Sequence, residues 1–197
     1  KNIAIITDAG SPGISDPAFL LVRACKAAGV EVTSLPGATA FVPALTNSGL
    51  PASSFVFEGF IPLKKGRKTL MEKLATEERT MIFYEAPHRI VETLEDLVAT
   101  FGADRLATLA RELTKTFETI RRAPLGELLT WVMADSNQQR GEIVLVVAGA
   151  RVLPATVSCD DGNVVSVPSA ANATPDDAKE VMANVMAAMR VEGFIVR

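Results

Sequence analysis

At 197 residues the chain has room for one large or two small domains, and its 48% hydrophobic and 22% charged residues are those of a globular protein. A net charge of −3 excludes a protein coated in basic surface, although a local basic patch remains compatible with it. Two distant cysteines, Cys25 and Cys159, form neither a disulfide framework nor a metal spacing, no apolar run reaches the length of a membrane span, and no signal peptide is visible. A reducing cytoplasm is the expected compartment.

The chain opens on Ile3–Ile6, an apolar run that predicts a buried parallel strand. Because it begins with Lys1 directly in that strand, a further N-terminal part of the first domain is expected. Thr7–Pro17 then packs two glycines, two prolines, two serines and two aspartates into eleven positions. Connections between strand and helix usually need about two to six residues, so this length points to a ligand loop at a strand end rather than a plain turn. Ala18–Ala28 predicts a helix stopped at Gly29, and Val30–Leu35 alternates like a strand. That strand delivers a second glycine turn, Pro36–Ala40, before a helix over Phe41–Thr46 and a loop over Asn47–Ser54.

Phe55–Ile61 reads as a strand and Pro62–Lys68 as a basic, flexible loop. Thr69–Glu78 predicts a helix with Leu70, Met71 and Leu74 on one side, and Arg79–Tyr84 a strand. Ile90–Phe101 is strongly amphipathic, with Ile90, Val91, Leu94, Leu97, Val98 and Phe101 inward. Leu106–Ala110 and Phe117–Arg122 predict strands, Pro124 the start of a helix, and Glu142–Ala148 a last apolar strand. Residues 151–173 show no period and read as a linker or irregular extension. Thr174–Asp177 has the capping residues of a helix whose apolar stripe runs from Ala178 to Met189.

No nucleophile elbow, Walker loop, Cys–His pair or metal cluster occurs, so no metal is expected. Ionisable residues recur at predicted strand ends: Asp8, Asp16, Glu85, His88, Arg89, Arg111, Glu112 and Lys115. Each alone reads equally as an ion-pair partner, and His88 equally as a structural hydrogen-bonder. Lys64, Lys65, Arg67 and Lys68 in one loop, with Arg121 and Arg122 as a second spot, suit either a solvated surface or a phosphate backbone.

Seven stretches then occur in order: TDAGSPGISDP (7–17), LPGATA (35–40), SGLP (48–51), FEGFIP (57–62), FYEAPHR (83–89), ARELTKTFETI (110–120) and RGEIVLVV (140–147). Together they resemble the bacterial small-subunit (16S) ribosomal RNA cytidine 2′-O-methyltransferases of the tetrapyrrole methylase-like superfamily. The resemblance implies an α/β fold of two α/β domains with an S-adenosylmethionine (AdoMet) cleft between them. The first domain would end at residue 54, the second would span 55–150, and 151–197 would have no assigned role. It implies cofactor contacts at Asp8, Ala9, Gly10, Ser11 and Ile14, at Pro36, Gly37, Thr39 and Ala40, and at Tyr84 and Leu113. RNA contacts are implied at Lys64, Lys65, Arg67, Lys68, His88, Arg89 and Arg111. Glu85, Glu112 and Lys115 are the candidates for the general base that accepts the 2′-hydroxyl proton. Ribosomal RNA or the small subunit would be the partner, and a homodimer the assembly. A tetrapyrrole-precursor methylase and a non-catalytic nucleic-acid-binding fragment are the alternative readings.

Overall fold

The structure is a computed structural model that describes residues 2–150 and two short strands at 156–158 and 164–166. The chain divides into two compact units, residues 1–150 and 151–197. In the first unit the elements run α1 (Ala18–Ala27), α2 (Phe41–Ser48), β1 (Phe55–Phe60), α3 (Arg67–Leu74), β2 (Thr80–Glu85), α4 (Ile90–Phe101), β3 (Leu106–Arg111), β4 (Thr119–Pro124), α5 (Leu125–Ala134) and β5 (Ile143–Val147). Short 3₁₀ turns lie at Pro87–Arg89 and Ser136–Gln139.

The five strands make one mixed sheet in the order β1-β2-β5-β3-β4. β1 and β2 are parallel, and β5 runs antiparallel between β2 and β3. β4 is antiparallel to β3. These directions gather the C-terminal ends of β1, β2 and β3 on one sheet edge, with the N-terminal ends of β4 and β5. Side chains alternate across the sheet with period two, and both faces are covered. Met81, Phe83, Leu109, Leu145 and Val147 enter one core with Leu74, Leu94, Leu97 and Leu128 from α3, α4 and α5. Ile82, Ala110, Val144 and Val146 enter the other with Ala44 and Leu45 of α2 and with Leu50. Apolar residues at helical spacing set α4: Ile90, Leu94 and Leu97 are fully buried, Phe101 is buried, and Val91 and Val98 pack partly buried beside them.

Several expectations need correction. Ile3–Ile6 is not a strand; Ile3 is 89% and Ile6 90% exposed. An apolar run states a preference for burial but supplies no pairing partner, and no described strand pairs with it. Val30–Leu35 is not a strand for the same reason. Neither glycine turn therefore follows a strand, and the sheet is mixed because β5 and β4 run antiparallel to their neighbours. α3 begins at Arg67, inside the expected loop, and β4 begins at Thr119, which puts Arg121 and Arg122 in mid-strand. In the second unit Thr156–Ser158 and Val164–Ser166 pair antiparallel where an irregular linker is expected. The helix expected from Thr174 lies outside the described residues.

Candidate functional site

The first glycine turn is closed on itself. The Thr7 hydroxyl donates to the Gly10 carbonyl at 2.7 Å and lies 3.2 Å from that of Ala9. Gly10 has φ of +76°, a conformation that favours glycine. Further on, the Asp16 carboxylate accepts from the Gly13 and Ala18 amides at 2.9 and 2.7 Å. Asp16 thus holds the start of α1 and is a structural acid. Ser11 joins this turn to the second one: its hydroxyl donates to the Ala38 carbonyl at 3.1 Å and lies 3.2 Å from the Thr39 hydroxyl. The contact leaves little room, since a Cβ on Gly37 would stand 3.2 Å from Ser11 Oγ. Asp8, Ala9, Gly10 and Ile14 are exposed on one side of this junction, and Pro36 and Gly37 on the other.

Directly after Thr39 and Ala40, α2 begins, and the Phe41 amide donates to the Tyr84 hydroxyl at 3.3 Å. Tyr84 stands edge-on to Phe57 and Phe60, with ring centroids 5.0 and 5.6 Å away. Burial pushes its phenol above the ordinary value. Leu113 packs on the same apolar layer as Phe41, Phe57 and Tyr84. The second turn, Tyr84 and Leu113 therefore share the α2 face of the sheet.

Glu85, one residue on, points to the opposite face. Its carboxylate is fully buried, accepts from the Thr93 hydroxyl at 2.6 Å and from the Ala86 amide at 2.8 Å, and pairs with Arg89 at 3.4 Å. Glu85 is a structural group, not an acid open to a substrate. Arg89 is also buried and donates to the Ile61 carbonyl at 2.8 Å. Arg67 donates to Asp96 at 2.6 Å and to Thr93 at 3.1 Å. Arg111, buried on the same side, donates to Gln138, to the Phe117 carbonyl and to the Thr119 hydroxyl. Arg67, Arg89 and Arg111, each expected to meet RNA, thus have their guanidinium groups engaged by protein acceptors. Thr93 was not foreseen as part of this network. The sequence carried a signal for it, because it lies three residues after Ile90 on the inward stripe of α4, where a polar residue must find a partner.

Glu112 and Lys115 form a third group at the same edge. Lys115 Nζ lies 2.9 Å from Glu112 and 3.1 Å from Glu142, and the Glu112 carboxylate also accepts from the Glu142 amide. The Lys115 hydrogen bond, with that of the Glu142 amide, holds the Glu112 carboxyl below its ordinary value. The two carboxylates raise Lys115. Both groups are thereby fixed in their charged forms, and Lys115 has no lone pair to accept a proton. Glu112 and Thr114 have φ of +52° and +65°, so Leu113 is carried between two left-handed residues.

Further cations lie elsewhere. Leu63, Lys64, Lys65, His88, Arg89 and Glu92 line an open groove of about 640 Å³ beyond the ends of β1 and β2. Lys64, Lys65 and His88 are exposed in it. Lys68 is exposed on α3, only 3.8 Å from Glu72, a weak surface pair. Arg121 stacks over Trp131 at 4.8 Å. Among the described residues no cluster could hold a metal ion, and no helix is long and apolar enough to cross a membrane.

A mixed α/β sheet covered by helices on both faces, with two joined glycine turns at the head of α2, defines a methylase-type α/β fold, and solved structures share it. The methyltransferase CobJ aligns with a TM-score of 0.54 and 26% identity, covering 72% of this chain and 62% of that one. Residues 1–129 match the family described as Tetrapyrrole (Corrin/Porphyrin) Methylases, and the chain belongs to that family. It is 55% identical over 150 residues to the ribosomal RNA small subunit methyltransferase I of Pseudomonas aeruginosa, covering 76% of this chain and 53% of the relative. Identity to the protein of the same name from Escherichia coli O157:H7 is 52%, covering 76% of this chain and 52% of that one. The chain thus spans about half the length of these relatives.

Proposed function

We propose that the chain is the cofactor-binding and RNA-facing portion of an AdoMet-dependent methyltransferase that modifies a cytidine ribose 2′-hydroxyl in small-subunit ribosomal RNA. The observation that carries this reading is the junction at Ser11, where two glycine turns meet beside the Tyr84 hydroxyl. The relatives' names supply the substrate class.

The residues present fit the cofactor. A charged sulfonium nucleoside calls for open backbone, a carboxylate and hydroxyls, and an apolar wall. The turns offer the exposed backbone of Ala9, Gly10 and Gly37, the Asp8 carboxylate and the Thr39 hydroxyl, with Ile14, Tyr84 and Leu113 as the apolar part. Among the described residues nothing engages the Asp8 carboxylate by hydrogen bond or ion pair. Bound there, AdoMet supplies an electrophilic methyl group. The chain's own task is to orient the cofactor and the ribose, which is a large share of such a rate. Of the three candidate bases, Glu112 alone keeps acceptor capacity at an accessible site, as a carboxylate weakened by Lys115. Lys115, held protonated, stabilises negative charge nearby. Lys64, Lys65 and His88 in the groove would meet the RNA backbone, with Lys68 of α3 as a further candidate. A homodimer and a cytoplasmic location belong to the same proposal.

Calorimetry of this chain with AdoMet tests the cofactor site: heat of binding is expected, and its absence together with an unchanged melting temperature refutes the reading. Labelled AdoMet offered with small ribosomal subunits or with a porphyrinogen separates the RNA substrate from the tetrapyrrole alternative. Label in the subunit is expected; label in the porphyrinogen overturns the RNA assignment.

A further inference from the structure

The RNA-facing groove has a buried support that no contact with RNA requires. Ile61 and Pro62 lead from β1 into the loop that carries Lys64 and Lys65. Arg89 donates to the Ile61 carbonyl at 2.8 Å and reaches that of Pro62 at 3.4 Å, and Arg67 reaches Pro62 at 3.4 Å from the other end of the loop. Both arginines are buried, and the chain of contacts closes between them: Arg67 to Thr93, Thr93 to Glu85, Glu85 to Arg89. Asp96 completes the charge balance on Arg67. The same Arg89 follows His88 directly, so one ring of polar groups fixes both walls of the groove.

We propose that Glu85, Thr93, Arg67 and Arg89 are positioning residues that hold the Lys64–Lys65 loop and His88 in the geometry that receives a single-stranded phosphodiester backbone. The inference rests on the RNA reading given above. Leaving any one member unpaired strands a buried charge or donor, so the ring acts as a unit. Loop carbonyls held by two guanidinium groups keep the lysines presented without an ordering cost on binding.

Trypsin reads the loop directly, because Lys64 and Lys65 carry its scissile bonds. Thr93→Val keeps the shape and removes the hydroxyl link, whereas Thr93→Ser keeps the hydroxyl. Cleavage at Lys64 and Lys65 of this chain is expected to accelerate roughly tenfold or more in Thr93→Val, with near wild-type rates in Thr93→Ser. Affinity for a fluorescein-labelled oligocytidine RNA is expected to fall several-fold in Thr93→Val while AdoMet affinity holds. Arg89→Lys, which keeps the charge but loses the grip on the two carbonyls, is expected to act in the same direction should Thr93→Val fail to fold. Equal acceleration at every basic site, Lys73 included, reports general destabilisation and overturns the proposal. So does unchanged cleavage at Lys64 and Lys65 in both variants. Selective cleavage with unchanged RNA affinity overturns the assignment of the groove to RNA, and the positioning role with it, even where wild-type chain binds RNA by another surface.

Discussion

Ser11 and Ala38 lie twenty-seven residues apart and are joined by a hydrogen bond of 3.1 Å. No regular strand or helix contains either residue, so this bond and its Thr39 neighbour are a main tie between the two turns. Removing the hydroxyl in Ser11→Ala is expected to weaken AdoMet binding about 3- to 10-fold, the worth of one neutral hydrogen bond. Calorimetry checks it, and the melting temperature is expected to fall by no more than a few degrees, the scale of one hydrogen bond in a domain of this size.

Gly141 sits at φ of +80°, and a Cβ there would run into the Glu112 side chain. Gly141→Ala must push Glu112 away from Lys115 and from the Glu142 amide as well as strain the backbone. A loss of about 1–3 kcal/mol is expected by urea denaturation. A loss below about 0.5 kcal/mol would show that Glu112 has room to move.

Acid should weaken the fold through Glu77. Hydrogen bonds from the Arg79 guanidinium, at 2.8 and 2.7 Å, hold its carboxyl down to about 2 from an ordinary 4.5. A carboxyl depressed in the folded state contributes stability above its unfolded value and loses it as the pH falls through the folded one. The contribution is thus complete above about 4.5 and gone near 2. Glu77→Gln is expected to flatten the plot of melting temperature against pH across that window and to leave the arm above it parallel to wild type.

Leu94 of α4 is fully buried against the sheet, whereas Phe19 of α1 is 55% exposed. Leu94→Ala is expected to cost about 2–5 kcal/mol from lost transfer energy and the cavity left behind. Phe19→Ala should stay within about 0.5 kcal/mol in this chain. Chemical denaturation of the pair checks the assignment of the core.

Charge reversal at Lys64 or Lys65 is expected to reduce RNA affinity and to flatten its dependence on salt by about 0.7 log units per lysine. The more remote Lys68→Glu should change both by less. Fluorescence anisotropy at several salt concentrations measures all three.

Much of this architecture was legible in the chain itself. The stripe from Ile90 to Phe101 fixed α4 to the residue, and the glycine turns marked the place where Ser11 and Thr39 meet. The faces of the strand ends were not legible. A charged residue after a strand looks alike whether it meets solvent or a helix layer, and Thr93, Asp96 and Gln138, on other elements eight, 29 and 27 residues away, decide that Glu85, Arg67 and Arg111 are enclosed. Ile3–Ile6 misled for a related reason, since burial preference and strand pairing are separate requirements. The two three-residue strands in 156–166 fall below the length at which alternation can be seen.

Tyr84 and Glu85 are neighbours in sequence but serve opposite sides of one layer. Their assignment hangs on parity along β2. A single amino acid inserted between Phe83 and Tyr84 would exchange them, turning the phenol toward α4 and a carboxylate toward the head of α2. Homologues of differing length at this point would therefore be expected to gain or lose residues in pairs, and a lone insertion would mark a member in which both compartments have been rebuilt.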